Sequence, residues 1–201
     1  FFKELSRAYD FTRDEVYAQK WMELIDSWIT QVGHEWIDNQ VAGRRIQQWI
    51  LSFQYFVNKR QSSAITAEFF ERFLFSINAQ THHLCDHLTA EGNHRTLELY
   101  AIFLVAVTFP ELRSASYFLD FSKQQLIENI QIDLLPDGVH RELSTDYHHT
   151  VLKNYLRFRE LAMANQIELP TCCDELLKRA VEFSYYVHKT DGTIPARSEY
   201  Q

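Results

Sequence analysis

Apolar residues recur every three to four positions along nearly the whole chain, the spacing of a helix with one buried face. Over residues 15–32, Val16, Tyr17, Trp21, Leu24, Ile25, Trp28 and Ile29 fall on one broad stripe. Over 38–57, Ile46, Trp49, Ile50, Phe53 and Phe56 do the same. Thr66 is placed to cap a further long helix carrying Phe69, Phe70, Phe73, Leu74 and Ile77. The segment 93–109 differs. After a polar first turn it is apolar almost all round, which predicts a helix buried on most sides and ended by Pro110. Residues 114–133 are amphipathic again, and Pro136-Asp137-Gly138 then breaks the pattern as a turn signal. Ser144 or Thr145 caps the next helix, to about residue 165. Thr171 opens the last, to about 188, with Thr171 and Asp174 spaced as a capping box. No run alternates at period two. The pattern predicts an all-α fold of seven or eight helices, joined by short loops and hence mostly antiparallel neighbours.

A length of 201 residues suits one domain with a real core, and 46% hydrophobic residues exclude a disordered chain. Five Gly and four Pro mean few turns and long elements. No apolar run approaches the roughly 20 residues of a membrane span. The net charge of −7 and pI near 5.7 argue against nucleic acid, which wants a basic face. An acidic ligand would need a local basic site, for which His94, Arg95, His140, Arg141, His148 and His149 are at hand. Cys85, Cys172 and Cys173 form neither a disulfide framework nor a zinc spacing and read as structural. His83 and His87 share a helix face, but no third ligand accompanies them, and histidine near a helix C-terminus is favoured by the dipole. Both chain ends, Phe1 and Gln201, read as cuts within a longer protein.

Candidate chemistry gathers in two stretches. Gly92-Asn93-His94-Arg95-Thr96-Leu97-Glu98 is one, and Leu135 to His149 is the other. Each sets polar, ionisable side chains where a loop becomes a helix, and a helix start offers free N–H groups and a positive dipole end. Asn93 can donate to a carboxylate, and His94 can do so with more electrostatic force. Tyr147 has a phenol that nearby cations can activate as base and then acid. Glu142 can orient a histidine or hold its loop, Glu98 can support His94, and Arg95 can bind a second acid group or cover the surface. An asparagine before a helix is also a common N-cap, and a tyrosine in a first turn commonly packs.

These stretches resemble the helical N-terminal domain of the heparinase II/III-like polysaccharide lyases. The likeness rests on Asn93-His94, Leu135-Pro136-Asp137-Gly138, His140, Glu142 and Tyr147-His148, in order and spacing. It extends more weakly to Ala8-Tyr9, Tyr17-Ala18 and Asp191-Gly192-Thr193-Ile194-Pro195. It departs at Ala196-Arg197-Ser198-Glu199-Tyr200, where many members continue with an acidic Gly-Asp segment. The resemblance implies an incomplete (α/α) toroid of antiparallel helical hairpins, with the 93–109 helix in the inner ring. It implies β-elimination at a uronic acid of a glycosaminoglycan- or alginate-like polymer. Asn93 and His94 are then expected at the carboxylate and Tyr147 as acid/base, with Arg95, Glu142, His148 and His140 binding substrate. His148 ranks lower, since it points roughly 100° away from Tyr147. Residues 1–201 then form one helical domain of a longer chain whose C-terminal β-sandwich region supplies the remaining catalytic groups. No cofactor is expected of this domain, though that region leaves room for a metal. The expected partner is an acidic polysaccharide, with no nucleic acid or membrane, and the resemblance suits a periplasmic or secreted protein, with the cytoplasm as the alternative. Two other functions stay open: a glycoside hydrolase using two of Asp137, Glu142 and Asp146, and a non-catalytic carbohydrate-binding or interaction domain.

Overall fold

The computed structural model describes residues 1–32, 38–57 and 62–195, the side chain of Gln40 excepted. Among these residues eight helices follow one another: α1 (Phe2–Thr12), α2 (Glu15–Gln31), α3 (Asn39–Val57), α4 (Ala67–Asp86), α5 (Gly92–Thr108), α6 (Ala115–Asp133), α7 (Thr145–Ala164) and α8 (Thr171–Val187). The only extended pairing among the described residues is an isolated bridge between Leu134 and His140.

Local chemistry sets the helix starts. The Thr66 hydroxyl accepts from the Phe69 N–H, and Ser144 accepts from the Tyr147 N–H, as both positions predict. The Asp14 carboxylate does the same for Val16. At α8 the expected capping box is not made. Pro170 occupies the cap position and Thr171 is already helical, so the Thr171 side chain lies inside the turn it was to close.

Packing shows how the helices are ordered. Phe2 meets Trp49 and Tyr9 meets Phe56, so α1 and α3 run the same way. Gly43 lies against Leu97 and Glu98 while Phe53 meets Phe109, so α5 follows α3 in parallel. Thr96 meets Tyr155 and Phe103 meets Phe158, so α7 follows α5 in parallel. The odd-numbered helices thus form one parallel layer. The even-numbered helices return behind them, α2 against α1 and α4, and α6 against α5 and α8. This is a row of antiparallel hairpins in two layers. The row is curved: Lys3 of α1, Tyr55 of α3, Tyr100 of α5 and Arg157 of α7 line one hollow of about 470 Å³. Helices at opposite ends of a row share a hollow only if the row bends round it. The fold is therefore an incomplete (α/α) toroid, with the odd-numbered helices as its inner ring.

The core between the layers is aromatic. Trp21 packs on Phe53, Phe56, Phe69 and Phe73, and its indole N–H donates to the buried Ser52 hydroxyl at 2.7 Å. Each such ring removed from water stabilises the fold by about 1.5–3 kcal/mol. Helix α5 is buried continuously from Thr96 to Ala106, as its all-round apolar sequence predicts. Cys173 is enclosed, and burial pushes its thiol up to about 11; burial pushes Cys85 up to about 12. Both are unreactive thiols at neutral pH. His83 bonds the Asn39 side chain, and His87 bonds the His83 carbonyl, so both imidazoles have protein partners.

Candidate active site

Because α5 and α7 run parallel in one layer, their N-termini open at the same end of the ring. Tyr155 lies level with Thr96, so α7 begins roughly one and a half turns further out than α5. The loop 134–144 crosses between them and ties the two starts together. Its Glu142 carboxylate accepts the Asn93 backbone N–H at 3.2 Å, at the positive end of α5. Gly92, with φ of 82°, lets that carboxylate come close, since a Cβ there would stand 2.9 Å from the Glu142 Oε1.

The loop itself is fastened to α8. Asp137 accepts the Val139 N–H at 3.0 Å, closing the turn. Gly138, with φ of 88°, lies against the α8 backbone, where a Cβ would fall 2.4 Å from the Ala180 nitrogen. Arg179 donates to the Pro136 carbonyl at 2.8 Å.

Two expected substrate-binding histidines belong to this fastening, and their assignment is corrected. His148 is 1% exposed. Its Nδ1 accepts the His140 N–H at 3.3 Å, which leaves the Nε2 proton to donate to the Ala180 carbonyl at 3.1 Å. Burial drives its pKa down to about 4, against the opposing pull of the Ala180 carbonyl, and His149 and His140 lower it further. His140 is fully enclosed, its Nδ1 accepting the Glu142 N–H at 3.3 Å and its Nε2 lying 3.9 Å from Asp133. Neither side chain reaches solvent; α8 packs over His148 through Ala180, Phe183 and Ser184. Glu98 is likewise not a support for His94: it is buried and accepts the Thr89 N–H and hydroxyl at 2.8 and 2.7 Å. Arg95 is half-buried, donating to the Thr89 carbonyl at 3.0 Å and to the Gln125 side chain, so its guanidinium is largely engaged.

Beneath the mouth lies a polar knot that the sequence pattern does not reveal. The Asp133 Oδ2 accepts from Thr96, Asn129 and Tyr155 at 3.0, 2.9 and 2.7 Å. Burial pushes the Asp133 carboxyl up, but the neighbouring His140 imidazole and the Tyr155 and Thr96 hydroxyls outweigh it and hold the group below its usual range. Burial, then the charge of Asp133, keeps Tyr155 neutral far above its ordinary pKa. The knot spans α5, α6 and α7 and so fixes the spacing of the α5 and α7 starts.

Asn93, His94 and Tyr147 are left with unpaired side-chain polar atoms among the described residues. Asn93 does not cap α5: the cap position is Glu91, and the half-buried Asn93 amide makes no side-chain hydrogen bond. His94 is half-buried, with its Nδ1 enclosed and unpaired. Tyr147 is half-buried in the first turn of α7, and its hydroxyl has no partner among the described residues. His149, expected only as part of a local basic patch, also has an enclosed and unpaired Nε2. An amide–imidazole–phenol set at one end of a ring, unsatisfied by protein among the described residues, suits an anionic, hydroxyl-rich ligand.

Residues 1–200 match the family model described as the heparinase II/III N-terminus. The chain belongs to that family. It is 27% identical over 208 residues to a heparin-sulfate lyase of Bacteroides thetaiotaomicron, covering 94% of this chain and 29% of that protein. A heparin-sulfate lyase of Pedobacter heparinus is 28% identical over 161 residues, covering 76% of this chain and 24% of that one. Among solved structures, heparinase III superposes with a TM-score of 0.85 at 25% identity, over 98% of this chain and 33% of that chain. The heparan sulfate lyase HepC of Pedobacter heparinus gives 0.79 at 24% identity, over 96% and 32%. The chain spans about a quarter to a third of the length of these relatives. The family and the toroid expected from the sequence both hold; the closing residues 196–201 lie outside the described ones.

Proposed function

We propose that this chain forms the helical half of a polysaccharide lyase that cleaves a glycosaminoglycan of the heparan sulfate kind by β-elimination. The observation that carries this reading is the sorting of the two motifs. Asn93, His94 and Tyr147 stand unpaired among the described residues at one end of the inner ring, while Asp137, Glu142, His148 and the His140 Nδ1 bond backbone groups that hold them there. On this reading the Asn93 amide and the His94 imidazole meet the uronate carboxylate and stabilise the charge that develops on it. Tyr147, as phenolate, takes the C5 proton. The C5–H electron pair forms the C4–C5 double bond, the C4–O bond breaks, and the phenol returns its proton to the leaving oxygen. The products are an unsaturated uronate and a new chain end, with no net change of oxidation state.

These steps ask no cofactor of the chain's own residues. A β-sandwich region elsewhere in the full-length protein would complete the site and would be the place for any metal. The relatives' names support an acidic glycosaminoglycan over alginate. No helix among the described residues is long and apolar enough to cross a membrane. We place the protein in the periplasm or outside the cell, where such polymers are met. The hydrolase reading is less favoured because Asp137 and Glu142, two of its three candidate carboxylates, are bound to backbone N–H groups.

The test is Tyr147→Phe in the full-length protein on heparan sulfate. It removes one oxygen that no protein group needs, so folding should be unchanged. Release of unsaturated product, read by ultraviolet absorbance, should fall by about 10²–10⁴-fold. Near-normal release would end the assignment, and reducing ends without unsaturated product would indicate a hydrolase.

A further inference from the structure

The hollow inside the ring carries a charge pattern that the mouth chemistry does not use. Lys3 and Arg7 lie one turn apart on α1, and Lys153 and Arg157 one turn apart on α7. Lys3, Arg7 and Arg157 line the hollow, and Lys153 stands one turn nearer the mouth. The four converge although 150 positions of sequence separate Lys3 from Lys153 and Arg7 from Arg157. Burial holds the Lys3 ammonium below its usual pKa, and Arg157, Lys153 and Arg7, in that order, lower it further. None of the four makes an ion pair or hydrogen bond among the described residues. Glu160 shares the lining and Glu4 stands nearby, two carboxylates that leave the four cations in excess. Like charges four residues apart on a helix work against folding, and here two such pairs face each other in a chain of net charge −7. Unpaired cations gathered in a concavity focus a positive potential that attracts anions. The wall between them is aromatic: Tyr55 is 39% exposed, and Tyr100 backs it.

We propose that this hollow is a second anion subsite, which holds sulfate or carboxylate groups of the polysaccharide several sugar units from the bond being cleaved. Arg157 lies ten residues beyond Tyr147 on α7, about 15 Å deeper along the axis, so one extended ligand reaches both. Lys153 and Arg157 form a track leading inward from the mouth, and Lys3 and Arg7 face it from α1. Tyr55 offers a ring face to the apolar side of a sugar. The subsite rests on the lyase reading, but its own measurement is binding rather than turnover.

The experiment uses the full-length protein and its Lys3→Gln, Arg157→Gln double variant. Calorimetric titration with a heparan sulfate hexasaccharide, and with inorganic sulfate alone, is repeated at two salt concentrations. The variant should bind the hexasaccharide about tenfold more weakly or worse, with a shallower dependence on salt. Its kcat should stay near wild type while KM rises, and its melting temperature should hold or increase as like charges are removed. Arg157→Lys, which keeps the charge, should retain most of the affinity and serves as control should the double variant melt early. Unchanged hexasaccharide affinity with normal product release overturns the subsite and leaves the lyase reading standing. Inorganic sulfate binding lost in the variant, with hexasaccharide affinity intact, also overturns it, since the hollow would then hold a free anion. Absence of unsaturated product from the wild-type protein on every uronate polymer overturns the lyase reading, and the subsite with it.

Discussion

Glu142 separates the two chemistries that its motif permits. In the lyase reading its carboxylate is a cap: Oε1 accepts the Asn93 N–H at 3.2 Å and sits at the positive end of α5. Glu142→Ala removes the acceptor and leaves that N–H to water. Loss of a helix cap costs about 0.5–2 kcal/mol, and loss of the charge near the dipole about 0.3–1 kcal/mol. The two overlap, so about 1–2 kcal/mol is expected. A domain of this size loses about 2–4 °C of melting temperature for each kcal/mol, which calorimetry resolves. Turnover should fall as well, because the same bond sets where Asn93 enters the site. Glu142→Gln keeps an oxygen acceptor in place and gives up only the charge. It should melt within about 1 kcal/mol of wild type and retain most of the unsaturated product. A hydrolase using Glu142 as acid or base would show the reverse, since the amide cannot exchange a proton. Full folding with abolished turnover in Glu142→Gln would therefore refute the capping argument.

The remaining predictions follow from the same contacts. Gly138→Ala places a Cβ 2.4 Å from the α8 backbone at a φ of 88°, so it should lose roughly 1–3 kcal/mol in denaturant titration; wild-type stability would show that the loop lifts freely from α8. Asn93→Ala leaves α5 capped by Glu142, so it should fold normally while kcat falls with little change in melting temperature. A fall in stability matching the fall in rate would make Asn93 structural. His148 stays neutral when folded down to about pH 4, whereas the unfolded chain takes up its proton near 6.5. Stability should thus decline as pH falls from about 6.5 to about 4, by at most roughly 3 kcal/mol. His148→Gln should flatten that decline, and an equally steep profile in the variant would locate the titration elsewhere.

The helices and several caps were legible because their causes are local. Thr66 and Ser144 cap what their spacing says they cap, and the continuous apolar run of α5 reports its burial directly. Thr171 shows the limit: its spacing to Asp174 satisfies a capping box, yet Pro170, with its fixed φ, takes the cap position and shifts the helix start by one residue. The interior position of His148 was not legible, since what encloses it is α8, more than twenty residues further on, and His140 is buried beside it and Asp133. The four cations were still less so, for α1 and α7 meet only when the layer has curved into a ring.

Which motif residues act and which support is decided by hydrogen bonding that only the folded chain displays. A buried polar group normally finds a protein partner, and leaving it without one costs stability. Glu98, Asp137, Glu142 and His148 all have such partners, as does His140 at Nδ1 though not at Nε2, and each bond fixes a backbone position. The Asn93 amide, the His94 Nδ1 and the Tyr147 hydroxyl, together with the His149 Nε2, have none among the described residues. In sequence the two sets are interleaved and alike in composition. The unsatisfied set stands at the N-terminal ends of two parallel inner helices, where the field favours negative charge. The satisfied set surrounds it and spans α5, α7 and α8. A site whose supports hold it through their own hydrogen bonds, while the working groups keep theirs for a ligand, is ordered before substrate arrives, so binding energy is not consumed in arranging it.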